Sequence, residues 1–202
     1  MKNSLFKPEE QHDDVANKIV VGLERLSQAF KTLLWEKAKT LGLSPIQIQI
    51  LIFVAYHKGG LNNVSLLAQE FNVTKPTVSD AVKILDKKGL ITKDYSSTDS
   101  RSYSISLSEA GKNIVSETDT FADPIKVLVN KFGDHEKSAF YQVLSKLIFQ
   151  LNQADILTVQ RTCYACKFYR KDDSGHYCNY LEKPLRDSEI RLDCPEFEGK
   201  VV

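Results

Sequence analysis

The first 162 residues contain no cysteine; all four cysteines of this 202-residue chain lie between Cys163 and Cys194. A disulfide framework is thereby excluded for most of the chain. Long apolar runs are missing too. The longest, Ile50 to Tyr56, is a core segment and far too short to cross a bilayer. Charge of one sign is also missing: 27 Lys and Arg face 26 Asp and Glu, for a formal net charge of +1. Any basic surface must therefore be local. The segment Met1 to Asp14 is polar and mixed in charge, unlike a secretory signal. These absences together predict a cytoplasmic protein with no membrane partner, whose cysteines are reduced, metal-bound or redox-active. Paired carboxylates, a nucleophile elbow, a phosphate-binding glycine loop and an HExxH motif are absent as well, and no enzyme is expected. There is no internal repeat and no low-complexity segment.

What is there is ordinary in bulk and informative in order. The chain is 42% apolar and 26% charged, enough for one large domain or a domain plus a small module. Ile19, Leu23, Leu26, Phe30 and Leu33 recur at steps of four and three, a helical seam that must pack on its own domain or on a partner. Gly42 ends that helix. Ser44-Pro45 opens a second, Pro45 to Tyr56, apolar on most sides and hence buried. His57 at its end is expected to be solvated or capping. A short helix from Val64 to Phe71, the tight connector Asn72-Val73 and a helix capped by Thr74 follow. Val78, Ala81, Val82 and Leu85 form the inward stripe of this last helix. Leu90 to Tyr95 and the alternation Tyr103, Ile105, Leu107 predict two strands, with a polar tip from Ser96 to Arg101. A helix opens at Ser108, with a kink or break expected at Asp123-Pro124. A last helix begins at Asp134 and carries Phe140, Leu144, Leu147 and Leu151 on one side.

Short helix, tight turn, amphipathic helix and β-hairpin make a winged helix-turn-helix. The second helix turns Pro76, Ser79, Asp80, Lys83 and Lys87 outward, with Thr77 at the edge. A major groove admits such a helix, and small residues at its start permit close approach. Thr74, Thr77 and Ser79 can donate to phosphates or base edges, while Lys75, Lys83 and Lys87 supply charge to the backbone. Arg101 at the hairpin tip is placed for an adjacent minor groove. Between Thr74 and Lys112 the basic excess is only seven against five. The order of the elements, more than their charge, points to double-stranded DNA.

The run Leu43-Ser44-Pro45-Ile46-Gln47, then Leu67-Ala68-Gln69-Glu70-Phe71 and Thr74-Lys75-Pro76-Thr77-Val78-Ser79, resembles the MarR-type (multiple antibiotic resistance regulator) transcription factors. So do Leu85-Asp86-Lys87-Lys88-Gly89-Leu90-Ile91, Asp99-Ser100-Arg101 and Leu107-Ser108-Glu109-Ala110-Gly111-Lys112. The resemblance implies a homodimer in which N-terminal and last helices interlock and two winged domains read a pseudo-palindromic operator. It also implies that Asp99 orients Arg101. The expected fold is mainly α with a small β-hairpin wing. It divides into an N-terminal dimerisation helix (1–42), the winged helix-turn-helix (43–108), C-terminal dimerisation helices (109–155) and a four-cysteine module (156–202). A small-molecule effector is left open, and the four-cysteine tail departs from the ordinary family pattern.

Cys163 and Cys166 enclose two residues; eleven separate Cys166 from Cys178 and fifteen separate Cys178 from Cys194. A CxxC pair presents two thiolates on one turn, and the later two can complete a tetrahedron. Structural Zn2+ is the first expectation for this metal site, an iron–sulfur cluster the alternative. His176 could replace one cysteine but is expected to be solvated in a turn. Phe168, Tyr169, Tyr177, Tyr180, Leu181, Leu185, Ile190, Leu192 and Phe197 are expected to build a small core round the site. Two other roles are open for the tail. It could sense metal or redox state and so control DNA binding, or dock a protein through exposed tyrosines such as Tyr164 and Tyr169.

Overall fold

The structure is a computed structural model that describes residues 4, 6–8, 14–57, 59–96, 103–173 and 175–200. Asp99, Arg101 and most of the expected hairpin tip lie outside these residues. Seven helices and two small antiparallel sheets follow in order among the described residues. Helix α1 spans Val15–Leu41, capped by the Asp14 carboxylate, which accepts from the Ala16 N–H at 2.8 Å. Gly42 closes it at φ 58°, a left-handed conformation that glycine adopts without a Cβ penalty. Helix α2, Pro45–Tyr56, begins with the Gln47 side chain accepting from the Ser44 N–H at 2.9 Å. Ile48, Ile50 and Leu51 are fully buried, as the all-apolar sequence of α2 demands.

Helix α3 (Val64–Glu70) is capped by Asn63, whose side chain accepts from the Leu66 N–H. Asn72 takes φ 50° in the turn after it, which lets the chain reverse within three residues. Helix α4 (Lys75–Lys87) then packs its stripe inward: Val78, Val82 and Leu85 are wholly buried and Ala81 nearly so. Burying an aliphatic side chain of this size is worth about 1.5–3 kcal/mol, so the stripe fixes how α4 is presented. Strands β1 (Ile91–Asp94) and β2 (Ser104–Leu107) pair antiparallel, Ile91 opposite Leu107 and Asp94 opposite Ser104. Ile105 is buried in the core and its N–H donates to the Asn62 carbonyl at 2.8 Å.

Helix α5 (Glu109–Thr118) stops at a turn, and α6 (Asp123–Val129) restarts with Pro124 in its first turn. The expected break is thus present, and Pro124 sits where its missing N–H costs nothing. Helix α7 spans Asp134–Gln153. The α1 seam is only partly covered: Ile19, Leu26 and Phe30 are exposed, while the buried residues of α1 are Leu34 and Ala38, nearer its C-terminus. Leu128 of α6 and Phe140 of α7 are exposed too. No single described helix is long and apolar enough to cross a membrane.

Gly111 shows why one small residue is required. It is buried in the first turn of α5, its N–H donates to Ser108 Oγ at 3.0 Å, and that hydroxyl donates to the Gly89 carbonyl at 2.6 Å. A Cβ at Gly111 would lie 2.0 Å from the Leu90 carbonyl oxygen. Gly111→Ala is therefore expected to cost about 1–3 kcal/mol, because backbone must move. A chemical-denaturation midpoint equal to the parent's would contradict that packing.

Candidate nucleic-acid interface and thiol cluster

The winged half carries the first candidate site. Thr74 caps α4: its hydroxyl accepts from the Thr77 N–H at 3.3 Å and lies 2.8 Å from the Thr77 hydroxyl. Thr74, Lys75, Pro76, Thr77, Lys83 and Lys87 are all exposed, and Ser79 is half-buried at the edge of the packed stripe. They share one outward surface because the stripe at Val78, Ala81, Val82 and Leu85 occupies the other. Lys83 is not a free cation, since it pairs with Asp80 at 3.0 Å one turn earlier. Both groups are about two-thirds exposed, so that pair is weak and exchangeable for a phosphate. Asp99 and Arg101, the expected wing contacts, lie outside the described residues.

The tail carries the second. After α7, residues Cys163–Ala165 form a 3₁₀ turn, and the Cys166 N–H closes it onto the Cys163 carbonyl at 3.0 Å. The CxxC pair thus occupies one tight turn. Strands β3 (Tyr169–Asp172), β4 (Gly175–Cys178) and β5 (Lys183–Leu185) form an antiparallel sheet, with Cys178 opposite Tyr169 on one side and Lys183 on the other. Cys194 is tied back through its N–H, which donates to the Arg161 carbonyl at 3.2 Å. These elements bring all four cysteines to the wall of one cavity of about 30 Å³. Cys163 and Cys166 are buried, Cys178 and Cys194 half-buried, and none is in a disulfide.

The surroundings of the thiols are mostly apolar. Burial pushes the Cys163 thiol up, the Arg191 N–H pulls it down, and the other three cysteines push it up again. A buried thiol raised in this way is a poor free nucleophile, which disfavours redox catalysis at Cys163. Two donors nevertheless face sulfur. The Arg191 N–H lies 3.2 Å from Cys163 Sγ, and the Arg191 guanidinium 3.7 Å from Cys194 Sγ. The four-thiol donor set suits a soft metal. Among the described residues, however, no three His, Cys, Asp or Glu side chains are grouped closely enough to hold one ion.

Several tail residues are not where the sequence reading put them. His176 is in β4, not in a solvated turn. The Tyr169 hydroxyl reaches its Nδ1 at 2.6 Å, and its Nε2 faces the Asp187 carboxylate at 2.9 Å. Burial pushes the Tyr169 hydroxyl up to about 12, so it stays protonated as a donor. Both ring nitrogens are engaged, and His176 has no lone pair to offer the cysteines. Tyr164 and Tyr169 are half-buried and meet edge to face, with ring centroids 5.6 Å apart, not exposed for docking. The local core is smaller than expected: Leu185 and Ile190 are its buried aliphatic members, while Tyr180 and Leu181 are exposed.

The module is also anchored at two places, neither of which the sequence reading foresaw. On one side Tyr141 of α7 donates to the Ile190 carbonyl, and Gln142 donates to Asp187 at 2.8 Å. On the other, Arg161 bridges Glu70 of α3 at 2.9 Å and Asp193 at 2.7 Å. His57, stacked on Phe53 with ring centroids 3.8 Å apart, lies 2.7 Å from the same Asp193 carboxylate. Burial would raise the Asp193 carboxyl, but hydrogen bonds from Arg161 and His57 outweigh it and hold it below its ordinary value. Thr158 donates to the Gln69 carbonyl at 2.5 Å. The sequence places Arg161 two residues before Cys163 and Asp193 directly before Cys194, a pattern too common to locate a partner.

Comparison with known proteins bears on the winged half. Residues 41–102 match the model of the MarR family. No curated protein matches the chain. Among solved structures, an S. aureus MepR–DNA complex is similar with a TM-score of 0.56 at 23% identity, over 64% of this chain and 94% of that one. A MarR transcriptional regulator from Methanosarcina mazei scores 0.57 at 22% identity, over 68% and 97%. A MarR protein from Peptoclostridium difficile scores 0.57 at 23% identity, over 76% and 94%. The chain therefore has the MarR winged-helix fold, and these matched structures leave at least 24% of the chain uncovered.

Proposed function

We propose that the chain is a MarR-type transcriptional regulator that binds double-stranded DNA as a homodimer through α4, and that its tail carries a thiolate metal centre. The observation that carries the DNA reading is the presentation of α4. A buried stripe holds it, Thr74 caps it, and small and basic side chains cover its outward face. The DNA-bound MepR structure of the same fold supports this reading. The exposed apolar side chains of α1, α6 and α7 support a dimer, since a single chain leaves Ile19, Phe30, Leu128 and Phe140 in water. Two copies of α4 on a two-fold axis then suit a pseudo-palindromic operator. On this reading Arg101 enters the minor groove and Asp99 orients it.

The test is duplex binding by the full chain, followed by fluorescence anisotropy across salt concentrations. Binding should weaken steeply with salt, with a slope of log affinity on log salt of about −0.9 per phosphate neutralised. A slope near zero would sink the reading, as would equal affinity for single and double strands.

A second reading makes the tail a sensor, and the Arg161 bridge favours it. The segment bearing Cys163 and the segment bearing Cys194 both touch Arg161, and Arg161 touches α3 of the reading head. A change at the thiols thus has a short covalent and ionic path to the helix-turn-helix. Equal operator affinity of metal-loaded and metal-stripped dimer, with the fold intact, would leave the site purely structural.

A further inference from the structure

We infer that Lys93 is a positioning residue for DNA binding: its bond to Asp86 fixes the angle between the β1–β2 hairpin and α4. The inference rests on the reading above that α4 contacts duplex DNA.

Lys93 occupies an unusual place for a lysine. Along β1 the side chains alternate: Ile91 is buried, Thr92 and Asp94 are exposed, and Lys93 shares the face of Ile91. Its partner across the hairpin is Ile105, which is fully buried. An antiparallel strand with one face on the core puts an apolar residue at such a position. Here the lysine stem lies inside, with the side chain only 15% exposed, and the ammonium donates to Asp86 near the end of α4 at 2.7 Å. The same ammonium sits 5.2 Å from the centre of the Tyr103 ring, which packs on Tyr95 with centroids 5.3 Å apart. The helix, the outgoing strand and the returning chain thus meet at one cation.

Stability alone does not account for this arrangement. The bond to Asp86 raises the Lys93 ammonium above its ordinary value, against the opposing effect of burial. A partly buried ion pair of this kind gains little over an apolar side chain of similar size. What it supplies is direction, because a charge-assisted hydrogen bond has a narrow range of good geometry. Ile91 and Ile105 pin the base of the hairpin to the core, while Asp94 and Tyr95 beyond Lys93 are exposed. A two-stranded ribbon twists more freely than a larger sheet, so the Lys93 rung decides where the outer end points relative to α4. With Asp86 as its anion, Lys93 is not a free phosphate ligand.

The experiment is an anisotropy titration of the full chain on a duplex that the parent selects from a random-sequence pool. Lys93→Met keeps the stem and removes the charge, and Asp86→Ala removes the acceptor. Each is expected to weaken binding about ten-fold. The two together should lose no more than either alone, and Lys93→Arg should stay near the parent. The salt slope of Lys93→Met should equal the parent's, unlike that of a lysine that neutralises a phosphate. Asp86→Ala is the sharpest variant. It deletes a negative charge and frees Lys93, so Coulomb attraction alone would make it bind DNA more tightly. Unfolding midpoints should move little. Asp86 is 44% exposed, so its variant keeps the test open if Lys93→Met folds poorly. Tighter binding by Asp86→Ala, a shallower salt slope in Lys93→Met, or parent-like binding by both overturns the inference and leaves the DNA reading standing. Failure of the parent to bind any duplex overturns the DNA reading and the inference with it.

Discussion

Lys75→Glu combined with Lys87→Glu is expected to weaken duplex DNA binding on the order of 100-fold, at about 1–1.5 kcal/mol per reversed charge. Both side chains are exposed, near opposite ends of the outward face of α4. Neither contributes to the buried stripe, so the melting midpoint should stay within the small range typical of surface changes. The loss should be uniform across sequences, and the salt slope should fall, because the contacts are to phosphates. Thr77→Ala is the contrasting variant. It removes a side chain placed for base edges while Thr74 still caps the helix through the Thr77 N–H. It is expected to blur sequence preference more than it lowers affinity. Anisotropy titrations on operator and scrambled duplexes separate the two effects. Unchanged affinity in the double reversal would place the DNA surface elsewhere.

Arg161→Ala is expected to destabilise the chain by about 2–3 kcal/mol and to free the cysteine module from the reading head. The Arg161 side chain is 15% exposed and Glu70 20%, so removing the guanidinium strands a carboxylate with little water. Asp193, 46% exposed, loses one partner and keeps His57. The guanidinium also lies 5.6 Å from the centre of the Phe53 ring, so packing is lost with the charge. Denaturant unfolding reads the stability. Amide hydrogen exchange reads the release, with faster exchange expected at Cys163 and Cys194, whose N–H groups bond across this region. Arg161→Lys keeps the charge but loses the two-armed bridge, and should recover only part of the loss. Parent-like exchange in Arg161→Ala would mean that the module is held without this bridge, by α7 and by the contacts of His57 and Thr158.

The winged half was legible because its signals are periodic and local. The stripe of α4 and its cap at Thr74 each act within a turn or two of their own position. The break before α6 was legible for the same reason, since Pro124 cannot sit inside a helix. That the four cysteines share one cavity was legible from their spacing. The sequence reading missed pairings between distant residues. Arg161 meets Glu70 across 91 positions and His57 meets Asp193 across 136. No periodicity links such residues; topology alone joins them. The same holds for His176, whose strand is defined by pairing with Lys171 on β3 and Leu185 on β5. Exposure in the tail was misjudged because few residues bury each side chain there, so apolar residues such as Leu181 are left at the surface.

The Arg161 joint between α3 and the cysteine segments works in both directions. On the sensor reading, loading of the tail changes the dimer's affinity for its operator by some factor. Reciprocity then requires that the operator change the tail's affinity for its metal by the same factor. A regulator seated on its promoter and one free in solution would hold their metal with different tenacity. Promoter occupancy thus becomes an input to the metal site, and bound copies would lose their metal at a different threshold from the unbound pool.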